Sequence, residues 1–82
     1  MKSYVFTLAV EEDKFEDGRP AWHAWCPALK GCHMWGHTRE AALANVREAV
    51  ELYVQDLVAA GDKIPMEQGT LELPEPAVAV NV

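Results

Sequence analysis

Cys26, Cys32, His33 and His37 fall within a dozen residues, and thiolate and imidazole are the ligands that zinc prefers. Their spacing matches no compact zinc pair, and Cys32 and His33 are neighbours on an extended segment, where successive side chains point to opposite faces. This leaves one buried thiol, another at a turn and partly exposed histidines, with no metal ligand and no cofactor assigned. Hydrolytic chemistry is also poorly supported. A two-metal nuclease of ribonuclease H type needs convergent carboxylates, one of them in the middle of the first strand. Val5-Phe6-Thr7-Leu8 supplies none. Glu40, Glu48, Glu51 and Asp56 spread around the polar side of a helix, as solvated charges do. No Ser-His or Cys-His pair is identifiable as a nucleophile with its base, no glycine-rich phosphate loop occurs, and His37 alone is no evidence of acid-base work. The chain reads as a non-enzyme.

The elements that carry these residues follow from periodicity. Ser3 to Glu11 alternates as a strand, with Tyr4, Phe6, Leu8 and Val10 on one face. The polar stretch Glu11 to Pro20 reads as a hairpin connection with Asp17-Gly18 as its turn. A second strand follows at Ala21 to Cys26 and a third at Cys32 to Gly36. Thr38 is the N-cap of a helix, its hydroxyl placed to accept from a backbone N–H of the first turn, and Glu40 complements the positive end of the dipole. Ala42, Leu43, Val46, Ala49, Val50, Tyr53, Val54 and Leu57 recur at helical spacing as one apolar face. Gly61 closes the helix, and Pro65 keeps it closed. Beyond an irregular connection, interrupted in one reading by a short strand at Thr70 to Leu73, Ala77 to Val82 alternates as a last strand. The order strand, strand, strand, helix, strand makes an α+β domain of two layers: an antiparallel three-stranded meander, one helix across it, and a final strand. Neither an internal repeat nor a domain boundary is visible, so residues 1–82 are read as a single domain.

A single helix covers one sheet face and leaves the other to be polar or to be covered by another chain. With Trp22, Ala24 and Cys26 toward the helix, His23, Trp25, His33 and Trp35 lie on the open side, a composition that interfaces favour. The opposite parity would bury Trp25 and Trp35 and expose Trp22. Leu52, off the main helical stripe, is a further candidate for contact with a partner or a second copy.

Composition narrows the partner. The chain has 82 residues, 13 acidic and 7 basic side chains, and a formal charge of -6. Lys2, Lys14, Arg19, Lys30, Arg39, Arg47 and Lys63 are scattered, whereas phosphate neutralisation requires clustered cations, so no nucleic-acid binding is assigned. An acidic surface suits solubility or the steering of a basic protein. A chain this short builds one small core and gains stability by oligomerising, as a dimer or tetramer. No apolar run approaches the roughly 20 residues of a membrane span, and Met1-Lys2-Ser3-Tyr4 does not begin a secretory signal. A cytoplasmic protein is expected, with its two thiols reduced.

The run Trp22-His23-Ala24-Trp25-Cys26-Pro27-Ala28-Leu29-Lys30-Gly31-Cys32, continued by Gly36-His37-Thr38-Arg39-Glu40-Ala41-Ala42-Leu43, resembles the HicB family of small bacterial antitoxins. The matching positions are Ala24, Pro27, Gly31, Cys32, Gly36, Thr38, Ala41, Ala42 and Leu43. His37, Ala28 and Lys30 depart from the family pattern. The resemblance implies a partial ribonuclease H-like fold and a partner, a small basic HicA-like toxin that cleaves messenger RNA and is inhibited by occlusion. It also implies that the C-terminal DNA-binding module of many HicB proteins is missing, because the chain ends at Val82. The alternatives are a stand-alone oligomeric scaffold or ligand-binding domain, and a metal-binding regulator using Cys32, His33 and His37.

Overall fold

The computed structural model describes residues 3–65 and 76–81. The alternation of Tyr4, Phe6, Leu8 and Val10 does produce extended chain, but in two pieces: β1 (Ser3–Thr7) and β2 (Ala9–Lys14). Between them the Leu8 N–H donates to the Pro76 carbonyl at 3.0 Å, and the two halves enter different sheets. β1 pairs antiparallel with β5 (Ala77–Asn81), setting Phe6 opposite Val78 and Tyr4 opposite Val80. β2 pairs with β3 (Pro20–Trp25), which pairs in turn with β4 (His33–Gly36), giving an antiparallel meander in the order β2-β3-β4. The single strand expected over Ser3 to Glu11 is therefore divided at Leu8.

Its second half also runs past Glu11 to Lys14, where the sequence reads as a connection. β2 is an edge strand of its sheet, and charged residues suit an edge because they discourage pairing with a further chain. The turn falls where Asp17-Gly18 announces it. Phe15 N–H donates to the Arg19 carbonyl at 2.9 Å and Gly18 N–H to the Phe15 carbonyl at 2.8 Å, with Gly18 in the left-handed region at φ 85°.

The helix, α1 (Arg39–Ala60), starts and stops on its signals. Thr38 Oγ1 accepts from the Ala41 N–H at 3.0 Å. Gly61 adopts φ 74° and donates to the Val58 carbonyl, while Asp62 N–H donates to that of Leu57 at 2.9 Å, so two otherwise orphaned carbonyls of the last turn are satisfied. Ala42, Leu43, Val46, Val50 and Val54 are buried, and α1 packs against β2, β3, β4 and β5. Phe6, Ala24, Val78 and Val80 complete the core from the strands, with Leu8, Cys26 and Cys32 from the residues beside them. One core residue comes from outside any periodic segment. Leu29, 1 % exposed, is turned inward by a corner in which its N–H donates to the Cys26 carbonyl and its own carbonyl accepts from Cys32, both at 3.1 Å. The result is the expected α+β arrangement of meander, helix and final strand. The short strand considered at Thr70 to Leu73 lies outside the described residues.

A candidate interaction surface on the outer sheet face

Strict alternation along β3 and β4 sorts their side chains. Ala24 and Gly36 are buried toward α1, and Trp22 packs against the core. His23 and Trp25 are half-buried on the outer face, and His33 and Trp35 are exposed there. The β3–β4 register sets His23 opposite Trp35 and Trp25 opposite His33, so the four rings form a two-by-two block. His23 is its centre. It stacks on Trp25 with centroids 4.9 Å apart and on Trp35 at 4.7 Å, and meets His33 edge-on at 5.3 Å. Stacked aromatic pairs contribute about 0.5–1.5 kcal/mol beyond the area they bury, enough to hold exposed rings in a flat, ordered surface.

Carboxylates from β2 border the block. Glu11 lies opposite His23 in register, with its Oε1 3.4 Å from His23 Nδ1. Trp35 Nε1–H donates to Asp13 Oδ2 at 3.1 Å. The Lys14 backbone N–H and then the Trp35 indole hold the Asp13 carboxyl below the ordinary aspartate value, with His23 adding to the effect and slight desolvation opposing it. Beside the block, an open groove of about 450 Å³ runs over Trp25, Pro27 and Leu29 and past Lys30 to His33.

Sequence alone put Glu11 at the junction of the first strand and the connection and Asp13 within the connection, and gave neither a place in the surface. The available signal was their parity: continuing the alternation beyond Val10 puts both on the face of His23. Arg47, counted from sequence only among the scattered cations, donates from Nε to the Ala77 carbonyl at 3.3 Å and ties α1 to β5. Asn45 similarly donates from Nδ2 to the Trp35 carbonyl at 2.8 Å, anchoring β4 from the helix side.

Leu52 does not join the rings. It is 57 % exposed on α1, the element that covers the inner sheet face, so the domain lies between it and the aromatic block. Nor do Cys32, His33 and His37 converge. Cys32 is buried in the core, His33 faces outward, and the His37 ring packs on Phe15 with centroids 5.0 Å apart. Among the described residues, no three His, Cys, Asp or Glu side chains gather in an arrangement that could hold a metal ion. Burial pushes the Cys32 thiol above its ordinary pKa, which keeps it protonated and unreactive at neutral pH.

The family model for the HicB-like antitoxin of bacterial toxin-antitoxin systems matches residues 6–76. The chain belongs to the HicB-like antitoxin family. A UPF0150 protein of Synechocystis sp. is 44 % identical over 64 residues, covering 78 % of this chain and 76 % of its own length. A UPF0150 protein of Helicobacter pylori is 47 % identical over 55 residues, 67 % of this chain and 69 % of its own. Among solved structures, the N-terminal domain of the Burkholderia pseudomallei antitoxin HicB superposes with a TM-score of 0.66 at 27 % identity, covering 95 % of this chain and 96 % of that one. A second structure of that antitoxin matches in fold, with a TM-score of 0.58 at 23 % identity over all of this chain and 64 % of the other. Several HicB-like motif positions are architectural here: Gly36 lets α1 approach β4, Thr38 caps α1, and Ala42 and Leu43 are buried beneath it.

Proposed function

We propose that this HicB-like protein is an antitoxin that neutralises a small basic HicA-type, messenger-RNA-cleaving toxin by forming a complex that occludes the toxin's working surface. The observation that carries the reading is the outer face of the meander, where His23, Trp25, His33 and Trp35 form an ordered aromatic block edged by Glu11 and Asp13. Large, rigid rings give contact area at low entropic cost, and the flanking carboxylates complement a basic partner and speed its encounter. The formal charge of -6 acts in the same direction. On this reading the chain binds rather than catalyses, works in the cytoplasm as a single-domain homo-oligomer, and needs no cofactor or direct nucleic-acid contact.

Co-expression with a basic toxin encoded beside it tests the proposal. Growth is rescued, the two proteins co-purify, and ribonuclease activity is lost in the complex; association slows as salt is raised. A second reading, an oligomeric scaffold whose copies close on one another through the same face, is favoured by Trp35 being 42 % exposed. A cognate toxin that stays active in excess protein would replace the first reading with the second.

A further inference from the structure

His23 and His33 meet nitrogen to nitrogen. Nε2 of His23 lies 3.1 Å from Nδ1 of His33, while the other nitrogen of His23 faces Glu11 Oε1 at 3.4 Å. Two metal–nitrogen bonds of about 2.0–2.1 Å at a tetrahedral angle hold their nitrogens about 3.3 Å apart. The imidazole pair, hydrogen-bonded to each other in this structure, is thus already close to the separation of two ligands on one ion. A carboxylate on the far nitrogen is the partner that fixes the tautomer and orientation of a ligating histidine and raises its basicity. Stacking on Trp25 and Trp35 holds the His23 ring in place, and His33 is exposed, with room to turn Nδ1 toward a point off the line between the two nitrogens.

We propose that His23 and His33 form a site for a divalent transition-metal ion that prefers imidazole, such as zinc, nickel(II) or copper(II), with Glu11 as a positioning residue and water in the remaining positions. No net proton release is required when both rings are neutral. His23 keeps its proton on Nδ1 toward Glu11, while the proton that His33 Nδ1 shares with His23 Nε2 in the free protein passes to solvent and His33 takes one up on Nε2, which frees both facing nitrogens for the ion. Hard cations such as magnesium and calcium are excluded by the nitrogen donors, and copper(II) binds more tightly than nickel or zinc. The site differs from the Cys32, His33 and His37 set considered from sequence, because a pairing register and not sequence proximity assembles it. It requires no toxin and stands apart from the antitoxin reading.

The test is titration of the untagged, metal-stripped full chain with copper(II), followed by tryptophan fluorescence, and with zinc, followed by calorimetry. One ion binds per chain in the micromolar range, and copper quenches emission because Trp25 and Trp35 stack directly on a ligand. His33→Gln, at an exposed position, weakens binding at least about tenfold with unchanged circular dichroism, and Glu11→Gln weakens it by about 10–100-fold. His37→Gln has no effect. Absence of saturation below millimolar metal, wild-type affinity in His33→Gln, or loss of binding in His37→Gln would each overturn the proposal. Growth rescue by co-expression reads the antitoxin role independently of all three.

Discussion

Gly36 in β4 passes so close beneath α1 that a Cβ on it would lie 2.5 Å from the Ala42 backbone nitrogen and 2.8 Å from the Ala41 carbonyl carbon. Both obstacles are main chain, so no side chain can swing aside to make room. Gly36→Ala therefore forces the first turn of α1 away from the sheet and is expected to destabilise the protein by about 1–3 kcal/mol or more, as overpacking does. Denaturant unfolding measures it. Gly61→Ala is the control: its added Cβ meets nothing, leaving only the left-handed backbone cost of about 1–2 kcal/mol.

Trp35→Ala removes the exposed ring stacked on His23 without touching the core. The expected outcome is a folded protein whose complex with toxin, or whose self-association, weakens by at least about tenfold, as loss of an aromatic hot spot does. Binding measurements and light scattering on the same sample separate the two. Leu52→Ala, on the far side of the domain, is expected to leave stability within about 0.5 kcal/mol and toxin binding unchanged.

Acid titration should reveal the Asp13–Trp35 contact. The folded state depresses the Asp13 pKa, so its contribution is present above the ordinary aspartate value and is lost as pH falls through the depressed one. Tryptophan emission is expected to change in that acidic window, and Asp13→Asn to remove the step. A wild-type step unchanged in Asp13→Asn would assign it to another carboxylate.

Alkaline titration reads Cys32. Its pKa is raised in the folded state by burial, so the unfolded chain loses this proton first, and stability declines as pH rises from the ordinary thiol range toward the raised value. Cys32→Ala should flatten that decline in denaturant midpoints measured across the window. Thiol reagents should label Cys32 slowly in native protein and rapidly once it is unfolded.

Helix α1 is legible in the amino-acid sequence because its determinants are local: the Thr38 hydroxyl reaches an N–H three residues on, Gly61 tolerates the left-handed closure, and a 3.6-residue period marks the buried stripe. That His23 shares a face with Trp25, and His33 with Trp35, is readable for a similar reason, since alternation needs only the strand itself; that this face is the outer one is decided by packing of the opposite face against α1. The division at Leu8 is not, because the acceptor for its N–H is the Pro76 carbonyl, far along the chain. Leu29 escapes notice because hydrogen bonds in an aperiodic corner turn it inward, and no period announces them. Tertiary pairing also decides that Glu11 faces His23 and that His23 faces Trp35. A sequence specifies which residues of a strand share a face; burial of both sheets against one helix decides which face turns outward, and the register specifies what each residue meets.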